Sequence, residues 1–303
     1  MNNPLHSHAL RGVLFASIGI LFACGGGNGE LPPPPAPPPP PPPAAAPSTP
    51  PVASAAPTAS AEPPAPPPAA PVTLTAGQAS PDPAAPLPTV KIVSPKKGQI
   101  VPLEKASDFE VKLNVDHWKT AMGDAHVHLI LDDRPYKPIY DTKAPVKLSE
   151  LVGSDAIAEG AHVLVAFPSR ANHESVKTAG ALSTVEFWIG KKGADKPQDM
   201  TKPTLVYSRP KGEYKGDMAN HVLIDFQLVN AALAPAKQRV HISVTGPGIE
   251  GDKSADVTQF GTPYYLDNLQ TGSYSVRLEL LGPDGVVLPG AWNSVARTFS
   301  VSR

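Results

Sequence analysis

The sequence predicts an all-β protein in which two tandem β-sandwiches follow a disordered, proline-rich tether. First, 25 of the 40 prolines lie between positions 31 and 90. Second, apolar and polar residues alternate beyond position 89 in short runs, which turn residues separate from one another. Such alternation is typical of half-buried strands, and short strands at regular spacing are typical of a sandwich. No long stretch has the helical period, and only KLSELVG at 147–153 predicts a helical turn.

The tether is predicted over residues 24–88. From Leu31 to Pro88 the chain consists mostly of Pro, Ala, Ser and Thr, and its only charges are Glu62 and Asp82. Such a segment buries too little apolar surface to offset the entropy of ordering, and proline favours an extended polyproline II shape. We expect a spacer. The alternative is a proline-rich ligand for another protein, but no basic residues flank the proline pattern.

The remaining chain divides into two halves with similar patterns. The first sandwich is predicted over residues 89–190, with strands at DFEVKLNV, HVHLIL, HVLVAF and STVEFWI. A polar linker follows at 191–203. The second sandwich is predicted over 204–303, with strands at HVLIDFQLVN, RVHISV, SYSVRLELL and ARTFSVS. Each half has about 100 residues, which is the usual size of a small domain.

Both halves contain the same corner, in which apolar residues and a loop precede a glycine and a strand. Aligning Gly160 with Gly272 places His162 on Tyr274. In immunoglobulin-like sandwiches a tyrosine at such a strand start bonds back across the corner. The sequence therefore predicts two tandem immunoglobulin-like β-sandwiches that arose by duplication.

The first 23 residues have the layout of a secretory signal. The apolar run at 12–23 is too short to cross a bilayer, which requires about 20 residues. Its end, Leu21-Phe22-Ala23-Cys24, resembles the lipobox of bacterial lipoproteins. That resemblance implies cleavage before Cys24, acylation of Cys24 with palmitate-type chains, and, because Gly25 is not aspartate, sorting to the outer membrane. The alternative is an ordinary signal peptide, which would leave the chain's single thiol free.

Composition and resemblance together favour a non-catalytic binding or structural module of the cell envelope. The formal net charge of -1 and the lack of a basic stripe argue against nucleic acid as a partner. The expected partners are the lipid bilayer, through acylated Cys24, and an envelope protein or glycan; no cofactor is predicted. HVHLILDDRPY and FPSRANHESVKTAGA resemble stretches of uncharacterised bacterial envelope proteins with paired β domains, a resemblance that implies no activity.

The alternative function is a periplasmic Cu- or Zn-binding module. His126 and His128 share one face of a strand, because side chains at i and i+2 point the same way. If Val127, Leu129 and Leu131 face the core, both imidazoles face water. A loop ligand would complete a site, and His173 is the candidate, with Glu174 or Asp124 as further ligands. The simpler interpretation is a polar surface without metal.

Other patterns carry weaker hypotheses. Arg134, Tyr136 and Tyr140 form a cationic and aromatic loop that would grip a sugar or peptide, or protect an edge strand. Adjacent acids at Asp132 and Asp133 are typical of turns rather than of a calcium loop, since no EF-hand spacing is present. The stretch RANHESVK has no nucleophile elbow, so catalysis is not expected.

Overall fold

The computed structural model describes residues 70–193 and 198–303 and confirms the predicted all-β fold. The strands, in chain order, are β1 (Thr73–Ala76), β2 (Thr89–Ser94), β3 (Ile100–Val101), β4 (Glu110–Asp116), β5 (His126–Leu131), β6 (Lys137–Ile139), β7 (Val146–Lys147), β8 (Gly160–Ser169), β9 (Ser183–Ile189), β10 (Thr204–Arg209), β11 (Gly212–Lys215), β12 (His221–Val229), β13 (Arg239–Thr245), β14 (Lys253–Val257), β15 (Tyr264–Asp267), β16 (Gly272–Leu281) and β17 (Ser294–Ser302). The predicted helical turn is the short helix α1, Ser149–Val152, and the described residues also form 3-10 turns at Leu103–Lys105, Gly216–Ala219 and Ala291–Asn293.

The first sandwich consists of two sheets around one core. Strands β2, β4 and β7 form the smaller sheet, and the larger has the order β3-β9-β8-β5-β6. All pairs are antiparallel except β3 with β9. As expected, Val127, Leu129 and Leu131 face this core, where they pack with Phe187 and Ile92.

The second sandwich repeats this order. Its sheets are β1-β15-β12-β10 and β11-β17-β16-β13-β14, and β11 runs parallel to β17 as β3 does to β9. In each half the first strand joins one sheet, and the short strand after it joins the other. The two halves are therefore tandem immunoglobulin-like sandwiches, as predicted.

The predicted corners form in both halves. The hydroxyl of Tyr274 donates to the carbonyls of Pro247 (2.9 Å) and Gln270 (3.1 Å) and accepts from the backbone N–H of Gln270. The Nε2 atom of His162 donates to the carbonyl of Ala158 at 3.0 Å. Each side chain thus bonds to the residue four positions before it, which ties the loop to the strand.

The predicted extent of the tether is wrong at its C-terminal end. Within 24–88, Thr73–Ala76 form β1, which pairs with β15 at the edge of the second sandwich. Val72 is 1% exposed in the core of that sandwich, and Leu74 packs against it. These apolar residues alternate with Thr73 and Thr75, so this segment buries enough apolar surface to be ordered. The tether before residue 70, the signal peptide and Cys24 lie outside the described residues.

A third apolar cluster joins the two sandwiches. It consists of Ile130, Tyr136, Val163, Val165, Phe167, Met200, Val206 and Trp292. The segment predicted as a linker at 191–203 contributes Met200 to it, and Asn230 donates to the carbonyl of Met200 at 2.7 Å. The C-terminal part of that segment is therefore packed, because its methionine fills the contact between the sandwiches.

Among the residues that the structure describes, no helix is long and apolar enough to span a bilayer.

Candidate metal centre

His126 and His128 lie on β5 and point away from the core of the first sandwich. They are 1% and 0% exposed, so the expectation that both imidazoles face water is wrong. The reason is that β10 and β12 of the second sandwich cover this face of the sheet, where Ser208 contacts His128. Every residue of β5 is buried, since the core of the first sandwich lies against one face of the strand and the second sandwich lies against the other.

His173 lies in the loop between β8 and β9. An isolated bridge between Ser169 and Ser175 closes the loop, and the His173 N–H donates to the carbonyl of Arg170 at 2.9 Å. The backbone of His173 has a φ of 67°, a region that side-chain-bearing residues rarely adopt. Strained backbone of this kind often occurs where a side chain must be held in one direction. In this conformation the imidazole of His173 lies against His126 of β5.

The three predicted histidines converge on one point. The Nε2 atom of His126 lies 3.0 Å from Nε2 of His128 and 3.1 Å from Nδ1 of His173. All three nitrogens lie within 4.8 Å of one another. At a metal–nitrogen distance of about 2.0–2.1 Å, two tetrahedral ligands are separated by roughly 3.3 Å. The two separations from Nε2 of His126 are thus close to those of ligands that share one ion.

A hydrogen bond fixes the tautomer of His126, and His128 has a hydrogen-bonding partner at the same ring position. The Nδ1 atom of His126 lies 2.7 Å from the carbonyl oxygen of Asp124, which only accepts, so Nδ1 carries the proton. The Nδ1 atom of His128 lies 3.1 Å from the hydroxyl of Ser208, which both donates and accepts; when it accepts, the lone pair of His128 lies on Nε2. Outer partners of this kind orient most metal-binding histidines and leave the other nitrogen free for the ion.

Without a metal ion, the three neutral imidazoles cannot form a good hydrogen bond at each of their close contacts. With its proton on Nδ1, His126 has a single lone pair on Nε2, which accepts one hydrogen bond. Two nitrogens nevertheless lie within 3.1 Å of this atom. At least one close contact therefore lacks a well-formed hydrogen bond. A cation at the centre would engage all three nitrogens.

The surroundings keep the imidazoles neutral. Burial, aided by the charges of Arg209 and Lys211, lowers the pKa of His126, and burial lowers the pKa of His128 well below its usual value. Burial and the charge of Arg209 lower the pKa of His173 to about 3. Neutral imidazoles are the form that binds metal, so the site keeps its ligands deprotonated without the ion.

Tyr136 forms one wall of the cluster. Its ring stacks on His128 with the centroids 3.4 Å apart and the planes at 9°, and its hydroxyl lies 3.3 Å from Nδ1 of His173. Lys211 of the second sandwich contacts the same ring, with its Nζ 4.0 Å from the centroid, and donates to the Tyr136 carbonyl at 2.9 Å. Burial raises the pKa of Tyr136 and lowers that of Lys211 to about 8.

The structure does not support the predicted partner-binding loop. Tyr136 is 3% exposed and belongs to the histidine cluster, because the second sandwich covers it. The ring of Tyr140 lies 5.1 Å from that of His126, and Arg134 pairs with Asp155 at 2.7 Å. The three side chains therefore do not form one exposed surface.

The two further ligand candidates have other roles. Glu174 accepts hydrogen bonds from the backbone N–H and the hydroxyl of Ser80, which fastens the segment after β1 to the first sandwich. Asp124 contributes its carbonyl to His126. The ligand set that the described residues offer is thus three histidines.

Sequence reasoning missed Ser208, Lys211 and the burial of the site. The signal for that burial was present in HVLVAF of β8 and TLVYS of β10, where apolar residues are consecutive rather than alternating. Consecutive apolar residues indicate a strand covered on both faces. The second cover is the neighbouring sandwich, which supplies Ser208, the polar partner of His128.

The strand order places the chain in the class of tandem immunoglobulin-like sandwich proteins. No family model matches the chain, and no curated protein does. Similar solved structures include the fibronectin(III)-like modules of Clostridium thermocellum CbhA, with 16% identity over 70% of this chain and 94% of that one, at a TM-score of 0.24. The match to the two fibronectin type III domains of chicken tenascin covers 70% of this chain and 98% of that one, with 10% identity and a TM-score of 0.22. The match to the two tandem V-type regions of VCBP3, a v-region-containing chitin binding protein, covers 71% of this chain and 99% of that one, with 9% identity and a TM-score of 0.22.

Proposed function

We propose that this chain is a non-catalytic binding module that holds one transition-metal ion, zinc or copper, through His126, His128 and His173. The observation that carries the proposal is the convergence of three imidazole nitrogens, two of which lie 3.0 and 3.1 Å from Nε2 of His126, with all three within 4.8 Å of one another. Imidazole is a good ligand for both metals. The ion would join β5 to the loop before β9 and stabilise the face on which the second sandwich packs.

Competitive titration with Zn(II), with Cu(II) and, in the absence of oxygen, with Cu(I) tests this function. All proteins carry Cys24→Ser, which removes the only thiol as a competing ligand. We expect one tightly bound ion in the wild-type site and a loss of at least 100-fold in affinity in His173→Gln. His241→Gln is the matched control, because His241 pairs with Asp256 at the surface of the second sandwich. Absence of tight binding, or equal affinities in all three proteins, would refute the proposal.

We propose further that the module is a lipoprotein of the cell envelope, anchored to the outer membrane through acylated Cys24. The support is the sequence Leu21-Phe22-Ala23-Cys24 with Gly25 after it. Several acyl chains anchor a protein stably, whereas one binds only marginally. Labelled palmitate should enter the wild-type protein and not the Cys24→Ser variant. Equal labelling of both, or of neither, would exclude acylation at Cys24.

An envelope protein or glycan stays a proposed partner of the module. The surface that binds this partner should lie outside the loop at 134–140, because Tyr136 is enclosed between the sandwiches. Crosslinking in intact cells, followed by recovery of the module, is the direct assay.

A further inference from the structure

The three ligands carry no charge of their own. Among the described residues, the hydrogen bonds of the imidazoles run to a carbonyl, to hydroxyls and to one another, and none runs to a carboxylate. One oxygen of the buried Asp225 carboxylate pairs with Lys177 at 2.7 Å and accepts from Ser175, so its charge is balanced there, and its other oxygen has no hydrogen-bond partner in the described part of the chain. The charge of an ion in this site would therefore not be reduced by its ligands.

Two fixed cations lie next to the ligands. Lys211 contacts the ring of Tyr136, which itself stacks on His128. The guanidinium of Arg209 lies 5.6 Å from the centroid of the same ring and donates to the hydroxyl of Tyr214 at 2.8 Å. Both cations belong to the second sandwich. They repel any ion held by the histidines.

Charge and coordination number then discriminate between ions. A divalent ion meets twice the repulsion of a monovalent one from each fixed cation, and its desolvation cost rises with the square of its charge. Zn(II) held by three protein ligands takes a fourth ligand, usually water, whereas the cluster offers three nitrogens enclosed between the sandwiches. Resting on the proposed function, we infer that this site selects the monovalent ion Cu(I) over Zn(II) and Cu(II).

The inference predicts a specific effect of removing one cation. Lys211→Gln removes the charge and keeps a polar side chain with a hydrogen-bond donor. Repulsion then falls twice as much for a divalent ion, so Zn(II) affinity should rise roughly tenfold and Cu(I) affinity roughly threefold. Lys215→Gln is the control, because Lys215 is an exposed residue that pairs with Glu213.

The measurement is an anaerobic titration at pH 7 of the Cys24→Ser protein and its two lysine variants. Bicinchoninate competes for Cu(I), and a zinc-selective fluorescent chelator competes for Zn(II). We expect Cu(I) to bind at least tenfold more tightly than Zn(II), and the ratio to narrow in Lys211→Gln but not in Lys215→Gln. Near-UV circular dichroism identifies a variant that fails to fold, in which case Lys211→Met replaces it.

The outcomes separate the two claims. Zn(II) binding as tightly as Cu(I), or an unchanged ratio in a folded Lys211 variant, would overturn the selectivity and leave the metal site in place. Failure of both ions to bind the wild-type histidines would overturn the proposed function and the selectivity together.

Discussion

The hydroxyl of Ser208 lies 3.1 Å from Nδ1 of His128, and the two residues belong to different sandwiches. Ser208 lies between Tyr207 and Arg209, where β10 shifts its register against β12. The second sandwich thus supplies a hydrogen-bonding partner for His128 within the histidine cluster. The candidate metal centre depends on both halves of the molecule.

Ser208→Ala should weaken metal binding without abolishing it. The three nitrogens stay in place, but Nδ1 of buried His128 loses its hydrogen-bonding partner, so the ring is held less firmly. Losses of this kind typically reduce metal affinity by about 10–100-fold. Competitive titration measures the change, and Ser300→Ala, at an exposed position of β17, is the control. An unchanged affinity would show that Ser208 does not orient the ligand.

The metal-free protein should lose stability in mild acid. His126, His128 and His173 have pKa values below the ordinary 6.5 when folded, so the unfolded chain binds protons first as the pH falls. Stability is then full above pH 6.5 and declines from there toward the folded pKa values, which for His173 is about 3. Each imidazole that stays neutral lowers the free energy of unfolding by up to about 1.4 kcal/mol per pH unit.

Urea denaturation between pH 7.5 and pH 5 checks this prediction. His173→Gln should show a shallower decline, because one of the three titrating groups is gone. A decline that is equally steep in His173→Gln would mean that other groups cause the acid sensitivity.

His162 should respond to pH in the opposite direction. Burial alone would lower its pKa, but the hydrogen bond and charge of Asp132 outweigh burial and raise the pKa above 6.5. A raised folded pKa contributes stability that is complete below pH 6.5 and is lost as the pH rises through the folded value. Asp132→Asn should remove this contribution, so its destabilisation should be larger at pH 6 than at pH 8.5. An equal effect at the two pH values would contradict the ion pair.

The corner of the second sandwich should depend on one hydroxyl. Tyr274→Phe removes the donor to Pro247 and leaves the N–H of Gln270 without its acceptor. We expect a loss of about 1–3 kcal/mol in the free energy of unfolding, since Tyr274 is 1% exposed. The control is Tyr264→Phe, whose hydroxyl makes a single exposed contact of 3.4 Å. Similar losses in the two variants would contradict the role of the corner.

One ion pair should contribute to the docking of the two sandwiches. Arg297 donates to the carboxylate and the carbonyl of Asp133, at 2.7 and 2.8 Å, and only 9% of its side chain is exposed. Arg297→Met would leave the partly buried carboxylate of Asp133 unpaired and cost about 2–3 kcal/mol. Lys147→Met, which breaks the exposed pair with Asp108, should have a much smaller effect on the free energy of unfolding. Calorimetry of both variants measures the difference, and equal costs would argue against a docking role.

The fold was accessible from the sequence because it follows from local patterns. Alternation in strands such as RVHISV and the repeated corner at His162 and Tyr274 predicted two related sandwiches. The β1 strand was hidden by its proline-rich surroundings, although Val72 and Leu74 alternate with threonines. Its partner β15 lies nearly 200 positions away, and no local pattern specifies such a pairing.

The site was accessible only in part. Strand periodicity predicts that His126 and His128 share one face, and the polar loop sequence around His173 predicts a third ligand there. Their burial could not be derived in this way, because it results from the contact between the two sandwiches, where Ile130, Phe167 and Val206 meet. The sequence likewise predicts an exposed loop at Tyr136, because the contact that encloses this residue comes from the second sandwich. Long-range packing decides which polar residues are enclosed, and a linear pattern does not contain it.

The most direct measurement is anomalous diffraction from crystals of the protein grown with one equivalent of Zn(II), recorded at the zinc edge. The account predicts one peak about 2.0–2.2 Å from Nε2 of His126, Nε2 of His128 and Nδ1 of His173. No peak there, or an ion bound only by other residues, would contradict it.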